Sequence, residues 1–276
     1  MRTGNLRRDL FLFAFLACGY SWSLWALMMA SAQGWLPFHF PTNFLGSFGP
    51  SLAALVLAAR EQGGVRALLR SCVRRRFGGR WYAAALLGPP LLVALALGAT
   101  LMLGQSPGAP ANLDKAVWLP VLFPVILVLG GPLGEELGWR GYLLPRLLQR
   151  AAPLQASLAV AAFWFLWHVP LFWLEGAAQK GGSIALFAVM VAAFSVLFTW
   201  LWLGTGGSLL AALLAHTMIN LASVCTEAVF PALSETEVDD FVLAGLLAIA
   251  AILVVAFKWP GTSGEAAPTG SVRADS

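Results

Sequence analysis

The sequence is short of charge. Only 11% of its 276 residues are Asp, Glu, Lys or Arg, against about 25% in a soluble domain. That is too few to cover the surface of a water-soluble enzyme, so this class is excluded. Cysteine is also scarce. Cys18, Cys72 and Cys225 stand far apart with no C-x-x-C spacing, which excludes a disulfide framework and a thiolate metal site. They read as small apolar fillers. No G-X-Y period accompanies the 28 glycines and 16 prolines, so a collagen-like chain is excluded as well. What is present is apolar: 59% of residues are hydrophobic and the mean hydropathy is +0.78. Disorder needs the opposite composition.

A helix crosses the hydrocarbon core with about 20 mainly apolar residues. Apolar runs fall at 10–32, 43–60, 81–103, 117–146, 154–174, 183–203, 207–227 and 240–258. They show neither strand alternation nor a polar helical face, so they read as helices in lipid or buried among others. Strands of a membrane barrel would be about 10 residues long and alternating. The expected fold is therefore all-α, a polytopic bundle of about eight transmembrane helices. The N-terminal Arg2, Arg7 and Arg8 followed by an apolar run resemble a signal peptide, but the run outlasts an h-region and reads as a retained first span.

The loops set the orientation. With eight spans and the N-terminus inside, the cytoplasmic segments hold Arg2, Arg7, Arg8, Arg60, Arg66, Arg70, Arg74, Arg75, Arg76, Arg80, Arg146, Arg150, Lys258 and Arg273. The other side keeps Lys115 and Lys180, with Glu235, Glu237, Asp239 and Asp240. This positive-inside bias predicts N-in, C-in topology in the cell (inner) membrane, if the source is bacterial. It also accounts for the net charge of +4 without nucleic acid as a partner. Residues 1–260 read as one integral-membrane domain with its motif-bearing core at 117–227, and 261–276 as a disordered polar tail. His39 sits in an aromatic, Pro-rich outer loop and reads as a surface or interface residue.

Ionisable residues inside spans are costly and mark function by default. Those left after the loops are Glu135, Glu136 and Arg140 in the fourth span, His168 in the fifth and His216 in the seventh, with Asn220 beside it. Glu136 and Arg140 are four apart and pair on one helical face. Glu135, about 100° around, has no partner in its own segment and must find water, another helix or a proton. His216 and Asn220 share a face, and Gly130, Gly134 and Gly138 form a small-residue stripe suited to close packing, internal or between copies. Counted from the arginine-bearing boundary, Glu135, His168 and His216 lie roughly 16, 21 and 14 Å deep. The expectation is one convergent polar site in a cavity opening toward the cytoplasm, with a tight turn between Pro145 and Pro153.

Three motifs carry a resemblance. Glu135-Glu136-x-x-x-Arg140 within EELGWRGYLLPRL, an aromatic-x-x-x-His ending at His168, and His216-x-x-x-Asn220 resemble the CPBP family of CAAX proteases and bacteriocin-processing enzymes. The resemblance covers about 127–225, and one position departs from its F-x-x-x-H pattern: Trp164 stands where phenylalanine is usual.

The resemblance implies an eight-helix intramembrane endopeptidase acting on a membrane-associated or prenylated protein or peptide. It makes Glu135 the activator of a water, His168 its helper, and His216 and Asn220 the oxyanion donors. Glu136 and Arg140 hold the first motif, with Trp164 shaping the pocket. No serine or cysteine is placed as a nucleophile. Zinc is the alternative, since Glu135, His168 and His216 match the His₂Glu count of a catalytic site, although H-E-x-x-H is missing. A metal-free glutamate mechanism is the favoured expectation. An immunity or scaffold protein, or a small proton-coupled transporter, are the rival classes. Substrate identity and oligomeric state are not set by the sequence.

Overall fold

The computed structural model describes residues 6–38, 44–235 and 237–257, except the side chains of residues 115, 116, 234 and 235. His39, Arg2, Lys258, Arg273 and the tail 261–276 lie outside the described residues. Among the described residues the regular structure is entirely helical.

Seven stretches are long and apolar enough to cross a membrane: α1 (Leu6–Ala32), α4 (Gly79–Met102), the compound span Leu119–Leu147, α8 (Pro153–His168, continued by a 3₁₀ turn to Trp173), α9 (Ile184–Gly204), α10 (Leu209–Val229) and α11 (Glu237–Phe257). The second expected crossing is shorter. A 3₁₀ turn at Phe44–Phe48 leads into α2 (Gly49–Ala58), and together they span only Phe44–Ala58. A basic helix, α3 (Gly64–Cys72), connects α2 to α4. The chain is thus a multi-pass integral membrane protein, consistent with the apolar surface left around the bundle.

The compound span is broken where the sequence is glycine-rich. Helix α5 (Leu119–Leu129) stops at Gly130, and Gly131 turns the chain with φ 108°, a conformation that favours glycine. Pro132 then starts the short α6 (Pro132–Glu136). A π-helical turn follows at Leu137–Leu143, and α7 (Leu144–Leu147) ends the span. The tight turn expected before Pro153 is present, with Arg150 N–H donating to Leu147 O at 3.0 Å.

The small-residue stripe is used inside the molecule. A Cβ on Gly134 would lie 2.6 Å from the Ser47 carbonyl oxygen, and one on Gly138 2.5 Å from Pro50. Gly49 in turn meets Ser21 and Ala17 of α1, so α2 is wedged between α1 and the π-helical turn. The larger core joins these elements to α8, α9 and α10. A smaller one, around Val93, Ala193, Ile219 and Leu247, joins α4, α9, α10 and α11.

The two ends of the bundle are marked by contacts between loops. At one end Arg74 donates to the Gly206 carbonyl, Ser208 Oγ donates to Arg74 O at 2.6 Å, and Arg146 pairs with Glu61. At the other, Asn112 donates to Ala228 O at 3.0 Å and Thr100 to Asp239 at 3.2 Å.

Candidate active site

Glu135 leaves α6 next to the Gly131 turn and is 5% exposed. A Cβ on Gly131 would stand 2.6 Å from its Oε1, so the carboxylate lies directly over the bare glycine backbone. The partner that its own segment lacks comes from α8. Trp164 Nε1–H donates to Oε2 of Glu135 at 2.5 Å.

Glu136 faces another way and is fully buried. Its Oε1 accepts from Arg140 Nη1 at 2.9 Å and from His216 Nδ1 at 2.8 Å. The i, i+4 ion pair read from the sequence is present. The bond to His216 was not legible, because it joins two separate spans. The guanidinium of Arg140 lies 4.4 Å from the Trp164 ring centre and 4.9 Å from that of Phe198. Stacking on aromatic faces offsets part of the cost of burying a cation.

His168 closes α8. Its Nδ1 is 2.8 Å from the carbonyl oxygen of Trp164, and a carbonyl only accepts, so Nδ1 carries the hydrogen. In the neutral ring Nε2 then holds the free lone pair. The same reasoning applies to His216, whose Nδ1 meets a carboxylate oxygen. Its ring sits edge-on to Trp164, with centres 5.7 Å apart. Asn220 Nδ2 donates to Gly130 O at 3.0 Å. It satisfies a carbonyl at the end of α5 that the helix break left without an intrahelical partner.

Glu135, Trp164, His168, His216 and Asn220 all line one cavity of about 490 Å³. These residues from three spans thus share one cavity, while Glu136 and Arg140 are fully buried and do not line it. The lining continues through Ser223 and Glu227 of α10, Phe187 of α9, Gln179 and Ser183, which lead to the end opposite the arginine-rich loops. Leu143, Leu144 and Leu209 are buried with no exposed surface and do not line the cavity.

Among the described residues, no group of three or more His, Cys, Asp or Glu is arranged to hold a metal ion. Each imidazole has its Nδ1 engaged, which leaves Nε2 as its free ring nitrogen, and one oxygen of Glu135 accepts from the indole.

The geometry defines a membrane helix bundle with a buried Glu–His–His–Asn cavity. Residues 117–222 match the family described as Type II CAAX prenyl endopeptidase Rce1-like, and this segment contains every residue of the cluster. The chain is 34% identical over 110 residues to CAAX prenyl protease 2 of Methanococcus maripaludis, which covers 38% of this chain and 40% of that protein. The match thus spans less than half the length of the curated relative. The family match lies in the part of the chain that builds the cavity, and both similarities are to CAAX prenyl proteases.

Proposed function

We propose that this protein is an intramembrane endopeptidase that hydrolyses a peptide bond of a membrane-associated substrate with water activated by Glu135. The observation that carries the reading is the shared cavity. A carboxylate, two imidazoles and a carboxamide from three separate spans line it.

In this reading a water sits between Glu135 and Nε2 of His168. Glu135 takes its proton as the oxygen attacks the scissile carbonyl carbon. The resulting oxyanion is met by Asn220, which has a second amide N–H besides the one given to Gly130. The ring of His216, held at Nδ1 by the Glu136 carboxylate, lines the cavity beside it. The C–N bond then breaks, and Glu135 returns the proton to the leaving amine. Each oxyanion donor of this kind is worth about 10²–10³ in rate. Glu136 and Arg140 hold the arrangement rather than react.

The test compares membrane peptide fragments in cells carrying wild type and Glu135→Gln, which removes the base and keeps the shape. Loss of specific fragments in the variant is expected, by about 10²–10⁴ in rate for a missing general base. Equal fragment patterns would defeat the peptidase reading. A binding or immunity role would survive the substitution.

A further inference from the structure

Helix α3 turns both of its arginines away from the bundle. Its inner face is anchored: Leu68 is buried, Val65 and Cys72 pack against the larger core, and a Cβ on Gly141 of the π-helical turn would stand 2.5 Å from Leu68. Arg66 and Arg70 are four apart on another face and both exposed, with Leu69 and, just past the helix end, Val73 beside them. Leu69 is 49% exposed and Val73 71%. Apolar side chains turned outward next to cations are the pattern of a helix that lies at a membrane surface.

The two kinds of side chain share a groove of about 730 Å³. Val65, Leu69 and Val73 give it an apolar wall, and Arg66 and Arg70 bring the cations. The carboxylate on its lining, Glu61, is already paired with Arg146. Among the described residues, neither the Arg66 nor the Arg70 guanidinium has a hydrogen-bond, ion-pair or ring partner. Arg74, Arg75, Arg76 and Arg80 follow in the chain and keep the surroundings positive. No lining residue is shared with the Glu135 cavity. Arg74 donates to the Gly206 carbonyl in the turn between α9 and α10, and α4 begins at Gly79. The groove thus lies where spans end, at the boundary of hydrocarbon and water, whichever compartment that end faces.

We infer that this groove holds an anionic phospholipid, with its phosphate on Arg66 and Arg70 and an acyl chain along Val65, Leu69 and Val73. Guanidinium groups bind phosphate through paired, charge-assisted hydrogen bonds. A zwitterionic headgroup would bring a further cation into a site that has two and whose carboxylate is engaged. Nucleic acid would satisfy the arginines but leave Leu69 and Val73 uncovered, whereas an acyl chain covers them. The inference is independent of the peptidase reading and of what the Glu135 cavity cleaves.

The experiment uses the full chain, purified in a non-ionic detergent and stripped of lipid. It is titrated with short-chain phosphatidylglycerol and with phosphatidylcholine of the same chains, and bound lipid is counted by native mass spectrometry. Phosphatidylglycerol should bind more tightly by about 10-fold or more. Each cation beside an anionic headgroup is worth about 5-fold in affinity, so Arg66→Gln and Arg70→Gln should each weaken phosphatidylglycerol by about that factor, and both together by about 25-fold. Arg150→Gln, outside the groove, should leave binding unchanged. Leu69→Ser tests the apolar wall without altering charge and should also weaken binding. The thermal midpoint without lipid checks that each variant is folded, and the preference of the wild type stands as a test on its own. Equal affinity for the two lipids overturns the inference, as does a loss in Arg150→Gln as large as that in Arg66→Gln, which would mark diffuse charge. Unchanged binding in Leu69→Ser overturns the placement of the acyl chain. Displacement of the lipid by inorganic phosphate at equal concentration would make the groove an ion site, and displacement by a single-stranded oligonucleotide a nucleic-acid site; either overturns the inference.

Discussion

Trp164 bonds to both Glu135 and His168. Its indole N–H donates to Oε2 of Glu135 at 2.5 Å, and its carbonyl oxygen meets Nδ1 of His168 at 2.8 Å. A phenylalanine at this position would lack the first of these bonds.

Trp164→Phe keeps an aromatic face for Arg140 and removes the N–H. A hydrogen bond to a charged group is worth about 1.5–3 kcal/mol. Turnover is expected to fall about 10-fold or more, with KM and the thermal midpoint little changed. Unaltered turnover in a steady-state assay would show that the indole does not position Glu135.

Glu136 joins Arg140 and His216 in a fully buried cluster. Removing one partner of a buried ion pair leaves an uncompensated charge, at a cost of about 3–5 kcal/mol. Glu136→Ala should lower the unfolding midpoint in detergent sharply, whereas Glu135→Gln should not. Equal midpoints for the two variants would contradict the division into supporting and reacting carboxylates.

Gly138→Ala pushes a methyl group against Pro50 of α2. Overpacking of this kind costs about 1–3 kcal/mol. Gly98→Ala on α4 is the control, since nothing lies within 4 Å of its added Cβ. The first should lower thermal stability and the second leave it unchanged or slightly higher.

Much of the fold was legible because an apolar run is a one-dimensional signal that survives without tertiary information. The Glu136–Arg140 pair was legible for a related reason, since its partners are four residues apart. The Glu136–His216 and Trp164–Glu135 bonds were not, because each joins different spans. The π-helical turn at Leu137–Leu143 leaves no periodic trace in LGWRGYL beyond its glycines. The run 43–60 reads as a full span, whereas the described helices there cover Phe44–Ala58.

Metal dependence gives a direct chemical test. In the proposed glutamate mechanism, prolonged chelation of purified protein should leave peptide hydrolysis unchanged. Loss of hydrolysis on chelation, restored by added zinc, would move the water from the carboxylate to a metal.

The crossing at Phe44–Ala58 reaches only about 24 Å, several ångströms short of a typical hydrocarbon core of about 30 Å. Phe44 and Ser47 at its start also belong to the cavity rim. A crossing this short is expected to thin the lipid beside it and so to bring water nearer to Glu135. Turnover in the proposed hydrolysis should then decline in bilayers of graded acyl length as the membrane thickens.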